Sequence, residues 1–214
     1  MSLGRFDEAR ETYLQVLSLF EKTLGPSHYR VASVLNNLGV VHAEQSDFET
    51  ALRYFERALQ VRSLALGADS PKVADNLNDV GMVLLELKRF DKAQESLERA
   101  ALLLEGLPAD HLGRAENLLG QGRLLWARGA PDKAIALLER AVAICDKKTG
   151  FAADHTRARA RFALAQAVWA ARRDAAGARR LGEQARESFA TLGRERFQRN
   201  LREVADWLTA LPSG

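Results

Sequence analysis

Cysteine occurs once in these 214 residues, at Cys145. That excludes an internal disulfide framework and fits a reducing compartment. Proline is held to five positions and phenylalanine to nine, while alanine, leucine, glutamate and arginine dominate. Those residues lose little rotamer freedom in a helix, so the composition is that of a helical protein. No apolar run approaches the roughly 18 to 20 residues needed to span a bilayer, and no signal-peptide pattern opens the chain. No membrane role is therefore expected, and a cytoplasmic setting is the default.

Catalytic signatures are also missing. There is no glycine-rich phosphate loop ending in Lys-Ser/Thr, no His-Glu-x-x-His, no Cys-x-x-Cys and no Gly-x-Ser-x-Gly. The kinase landmarks, His-Arg-Asp and Asp-Phe-Gly, are absent too. The four histidines, His28, His42, His111 and His155, stand far apart in the chain, whereas metal ligands normally cluster within a few residues. Three of them fall in breaks before a helix, where a ring caps or fills a turn, and His42 replaces a core leucine. Cys145 has only Lys147 and Lys148 near it in sequence, so it reads as buried rather than reactive. Trp169 and Trp207 read as core. Neither an enzyme, a cofactor nor a metal is expected.

Charge is uneven. Residues 157–214 carry 12 arginines against 6 acids, whereas residues 1–156 carry 19 basic and 22 acidic side chains. A basic end points to nucleic acid or an acidic partner only where the charges form a stripe. These arginines are scattered, so the expectation is that they solvate helix faces.

What the chain does have is a repeat. Arg5-Phe6-Asp7-Glu8-Ala9, Asp47-Phe48-Glu49-Thr50-Ala51 and Arg89-Phe90-Asp91-Lys92-Ala93 place an alanine every 42 residues. The pattern returns 41 residues later at Pro131-Asp132-Lys133-Ala134, and weakly from Asp174 to Ala178. Seven residues after each alanine stands Val16, Ala58, Ala100, Ala141 or Ala185. Upstream, Leu35, Leu38, Gly39 and His42 recur as Leu77, Val80, Gly81 and Leu84, then as Leu118, Gln121, Gly122 and Leu125. A fourth copy, Phe162, Ala165, Gln166 and Trp169, is degraded. Spacings of three and four mark one helix face, so each repeat predicts two amphipathic helices. Ser46 with Glu49 suggests a capping box, and Pro131 suits a first helical turn. Gly25-Pro26, Gly67 with Ser70-Pro71, Pro108 and Gly150 separate the repeats. Small residues at fixed points suit helices that cross closely.

Leu35, Gly39, Ala51, Phe55 and Ala58 fall on the signature of the tetratricopeptide repeat family, which the chain resembles. The 42-residue period, Leu24-Gly25-Pro26-Ser27-His28 with Val31-Ala32, and Leu66-Gly67-Ala68-Asp69-Ser70-Pro71 with Val73-Ala74 resemble kinesin light chain repeats. Residues 157–208 resemble the region behind some bacterial serine/threonine kinases. The resemblance implies an all-α fold, a right-handed superhelical solenoid of helical hairpins with a C-terminal capping helix. As one domain over 1–214 it would comprise a half-repeat at 4–24, repeats near 28–66, 70–106, 110–149 and 155–192, and a cap near 194–211. Met1-Ser2-Leu3 runs straight into a repeat half, so a piece of a longer protein is expected.

In this fold the first helices line a concave groove. Stepping by one repeat aligns Asn36 with Asn78, then Val40, Met82 and Arg123, then Ala43, Leu85 and Trp126. Glu44 and Glu86 form a further column, with Asn37 and Asp79 beside it. Asparagine offers a donor and an acceptor to a peptide backbone, Met82, Leu85 and Trp126 an adaptable apolar floor, and the carboxylates favour lysine or arginine. The expected function is a protein- or peptide-binding scaffold in a bacterial signalling protein. Self-association through the open N-terminal face is the alternative, and nucleic-acid binding by the arginine-rich end stands below it. Arg123 alone among carboxylates disfavours capture of an acidic tail.

Overall fold

The backbone turns to positive φ at Gly25, Gly67 and Gly150 (88°, 89° and 105°), and each of these glycines lies between two helices. No neighbour crowds any of the three. They are glycines because a β-carbon disfavours that conformation, by about 1 kcal/mol or more. The computed structural model describes residues 2–193 and 197–212, and among them it contains helices and turns but no strand.

The chain divides into two compact units, 1–107 and 108–214. The first holds α1 (Ser2–Leu24), α2 (Tyr29–Glu44), α3 (Phe48–Leu66), α4 (Pro71–Glu86) and α5 (Phe90–Leu104). The second holds α6 (Leu112–Ala127), α7 (Pro131–Asp146), α8 (Phe151–Arg172), α9 (Ala175–Gly193) and α10 (Gln198–Ala210). Within the units α2/α3, α4/α5, α6/α7 and α8/α9 pack as hairpins. Of the cap expected near 194–211, residues 194–196 lie outside the described residues. The remainder forms α10, which packs on α9 with Val204 and Leu208 buried.

Each of the first three hairpins is closed by the same contact. A β-carbon at Gly39 would stand 2.6 Å from the Phe55 ring, one at Gly81 2.8 Å from Leu97, and one at Gly122 2.7 Å from Leu138. The side chain of the second helix is a knob filling the notch that glycine leaves in the first. Ala51, Ala58, Ala93, Ala100, Ala134 and Ala141 flank these knobs with no exposed surface, because any larger residue would part the axes. The fourth hairpin reverses the sizes. Gln166 takes the glycine position on α8, and Gly182 takes the knob position on α9. The space over Gly182 belongs to α10, whose Leu208 and Trp207 would meet a β-carbon there at 2.9 and 3.2 Å.

The turns inside the hairpins repeat as well. The amides of Asp47, Arg89 and Ala130 each bond the carbonyl five residues back, on His42, Leu84 and Leu125, all at 2.9 Å. Before each of these amides comes a left-handed residue: Ser46 (φ 64°), Lys88 (57°) and Gly129 (78°). This is the Schellman stop, which satisfies orphan carbonyls at a helix end.

Two local expectations are corrected. Ser46 does not cap α3, because its backbone is spent on the preceding Schellman turn. Asp47 caps it instead, its Oδ1 accepting from the Thr50 amide at 3.3 Å, while Glu49 pairs with Arg89. His28 and His111 do cap α2 and α6, each accepting through Nδ1 from the amide two residues on at 3.2 Å. His155 does not lie in a break. α8 starts early, at Phe151, and carries it into an aromatic cluster with Phe151, Phe189 and Phe197.

Candidate functional site

The residues expected to bind lie on the first helices, α2 and α4 in one unit and α6 in the other. On α2, Asn37 is exposed, and Asn36, Val40 and Glu44 are half-buried. On α4, Asp79, Met82 and Glu86 are half-buried. Asn78 and Leu85, placed by the repeat in the same columns, are buried at 2% and 7% exposure. They therefore offer little surface to an incoming chain. In the second unit Arg123 is half-buried and Trp126 is 38% exposed. Exposure of so large an apolar ring leaves its face open for contact.

The polar pairing within the first unit differs from the columns. Asn36 is joined not to Asn78 but to Asn76, whose Nδ2 donates to Asn36 Oδ1 at 2.6 Å. Asn76 is fully buried, and its own Oδ1 has no hydrogen-bond partner. In the second unit the Thr156 hydroxyl lies 3.4 Å from Glu116, again forty residues apart rather than a full repeat. Buried Asn117 accepts from Gln121 on the same helix at 2.9 Å. Neighbouring first helices are thus offset by two residues in the first unit, where the repeat is 42, and by four in the second, where α6 to α8 is 44. Sequence reasoning missed Asn76 because its repeat equivalent in α2 is the apolar Val34. The signal was an asparagine standing in a core ladder, with Asn117 repeating it.

His42 bonds Asp47 Oδ2 at 3.0 Å and stacks on Tyr54, so it is a satisfied edge histidine. Burial would raise the Asp47 carboxyl, but the hydroxyl and amide of Thr50, together with His42, outweigh it and hold the group below its usual range. Cys145 is fully buried, and burial pushes its thiol up to about 11, so almost no thiolate exists near neutrality. Among the described residues no group of three or more His, Cys, Asp or Glu side chains could hold a metal ion. No helix described is long and apolar enough to cross a membrane.

Several arginines of the basic end are engaged locally. Arg157 pairs with Asp154 and Asp146, and Arg161 with Asp146. Arg173 lies 5.1 Å over the Trp169 ring. Arg179 donates to the carbonyls of Leu208, Leu211 and Pro212, closing the end of α10. An open hollow of about 810 Å³ on α9 and α10 is lined by Arg180, Arg186, Glu183 and Glu187 over Ala190 and Leu201. Its charges balance and select no ligand class.

No curated protein sequence matches the chain. Among solved structures, it is similar to a kinesin-light-chain-like chain of nearly identical TPR-like repeats from Podosopora anserina. That likeness has 24% identity and a TM-score of 0.59, covering 89% of this chain and 90% of that one. It is also similar to BtubC (BKLC) from P. vanneervenii, with 22% identity and a TM-score of 0.64, over 88% of this chain and 75% of that one. At these identities the likeness is one of fold. The family model of the tetratricopeptide repeat matches residues 1–63, 30–105 and 72–147. With the knob-and-notch hairpins repeating through those same residues, the chain belongs to the tetratricopeptide repeat family.

Proposed function

We propose that the chain is a docking scaffold that holds an extended protein segment against its first-helix faces. Tetratricopeptide repeats serve in general as protein-interaction scaffolds. The observation that carries the reading is on α2 and α4, where half-buried Val40 and Met82 stand among Asn36, Asn37, Glu44, Asp79 and Glu86. Asn37 is placed to bond a peptide backbone, and the carboxylates favour a segment carrying lysine or arginine. A place in a bacterial signalling protein is part of this proposal and rests on the sequence reading of residues 157–208 alone.

The test is titration of the chain with extended peptides that pair apolar residues with lysine or arginine, and with their glutamate counterparts. Basic peptides should bind, more weakly as salt rises, and Asn37→Ala with Met82→Ala should weaken them about tenfold or more. Equal binding of acidic and basic peptides, or an unchanged affinity in the double variant, would rule out this face.

A further inference from the structure

The orphaned Oδ1 of Asn76 is a net cost to folding, because a buried amide oxygen without a donor has given up its water for nothing. Packing does not require an asparagine there, since the equivalent position in α2 is held by Val34 at 6% exposure. The counterpart in α6, Asn117, bonds Gln121 of its own helix. Asn76 instead reaches across to α2, donating through Nδ2 to Asn36 Oδ1. Asn36 is half-buried and stands one turn before Val40, on the same side of α2. Its oxygen is directed at the buried Asn76. The other end of the planar amide, Nδ2, is therefore directed away from that contact.

We propose that Asn76 is a positioning residue for the docking face, holding the Asn36 amide so that Nδ2 is presented to the docked segment as a donor. The face then takes a hydrogen-bond acceptor at this point. In a segment of apolar residues and lysine or arginine the side chains accept nothing, so the acceptor is a main-chain carbonyl. A free asparagine amide offers either its oxygen or its nitrogen. The bond from Asn76 removes that choice, and with it the rotamer freedom that would otherwise be lost on binding. The orphaned oxygen is thus offset by a donor set in place before the ligand arrives. The proposal rests on docking at α2 and α4, and adds which group of the ligand is recognised there and which buried residue fixes the recognising amide.

A fluorescent peptide of alternating valine and lysine is the probe, titrated into the full chain by anisotropy. Asn76→Val should weaken binding about threefold to tenfold, the worth of one neutral hydrogen bond, with the urea midpoint equal or higher. Asn76→Leu, which keeps the outline of the asparagine, should do the same. Asn36→Ala should weaken binding by a like factor. Asn36→Ala combined with Asn76→Val should lose no more than Asn36→Ala alone, because Asn76 acts through Asn36. Core packing would not move a further readout, the Asn36 side-chain NH2 signal in nitrogen NMR, assigned by its loss in Asn36→Ala. Bound peptide should shift that signal in the unaltered chain and leave it unmoved in Asn76→Val. Full affinity in both Asn76 variants, or additive losses in the combined variant, would overturn the proposal. So would an NH2 signal that bound peptide leaves unmoved in the unaltered chain. Failure of docking itself looks different: the unaltered chain does not bind the peptide, or Asn37→Ala with Met82→Ala binds it equally well. Either result would remove the face, and this role of Asn76 with it.

Discussion

Gly182 of α9 lies beneath Leu208 of α10, and a β-carbon at 182 would stand 2.9 Å from Leu208 Cδ2. The terminal helix therefore takes up the space that a knob side chain would need at this position. Gly182→Leu, the residue type found at 97 and 138, should dislodge α10 and cost about 1–3 kcal/mol, the usual range for overpacking. Hydrogen exchange should then rise across α10 first. Unchanged protection there would show that the contact does not hold the helix.

Overpacking should also appear at the notches. Gly81→Ala places a methyl 2.8 Å from Leu97, and the expected loss is about 1–3 kcal/mol in urea unfolding. Leu97→Ala alone should cost about 2–5 kcal/mol by opening a cavity. In the double variant the methyl partly fills that cavity, so the two losses should fall short of additive by more than about 0.5 kcal/mol.

The three left-handed turn residues give an internal comparison. Ser46 and Lys88 hold positive φ with a side chain attached, whereas Gly129 does so freely. Left-handed backbone costs an ordinary residue about 1–2 kcal/mol, and glycine's extra unfolded-state entropy returns about 0.5–1 kcal/mol of that. Ser46→Gly and Lys88→Gly should each stabilise the chain by about 0.5–1 kcal/mol. Gly129→Ala should destabilise it by about 1 kcal/mol, all three read from thermal melts.

The Asp47 cap should titrate. Its carboxyl is held below the ordinary 3.8, so its contribution is present above the unfolded-state value and is lost as pH falls through the folded-state one. Asp47→Ala should cost about 1 kcal/mol at pH 7. The difference from the unaltered chain should shrink below about pH 4 and vanish in stronger acid.

Cys145 should report opening of the second unit. A buried thiol with a pKa of about 11 should react with a disulfide reagent at pH 8 only as the core around it opens. Labelling should accelerate with denaturant in step with loss of helical signal. Rapid labelling of the folded chain would contradict the burial.

The period of 42, the helix-pair repeat and the glycine and alanine contacts were all legible in the sequence, because each is a spacing along one chain. Less visible were features set by the way helices lie against one another. The two-residue stagger that joins Asn36 to Asn76 is not a periodicity, so column reasoning paired Asn36 with the buried Asn78. The cap moved from Ser46 to Asp47 because both residues suit the role, and only the preceding turn decides between them. The reversal at Gln166 and Gly182 was readable in principle, since a degraded glycine on one helix coincides with a gained glycine on the next. On the candidate face, residue types indicated which helices carry it, but burial of Asn78 and Leu85 could not be read from their chemistry.

Each notch and its knob are sixteen residues apart in the chain, Gly39 to Phe55, Gly81 to Leu97 and Gly122 to Leu138. Closing a loop of that size takes on the order of 100 ns and costs little entropy. The contact that fixes a hairpin can thus form before any distant part of the chain is in place. A sequence whose main packing decisions are this local should fold rapidly, and from more than one starting hairpin.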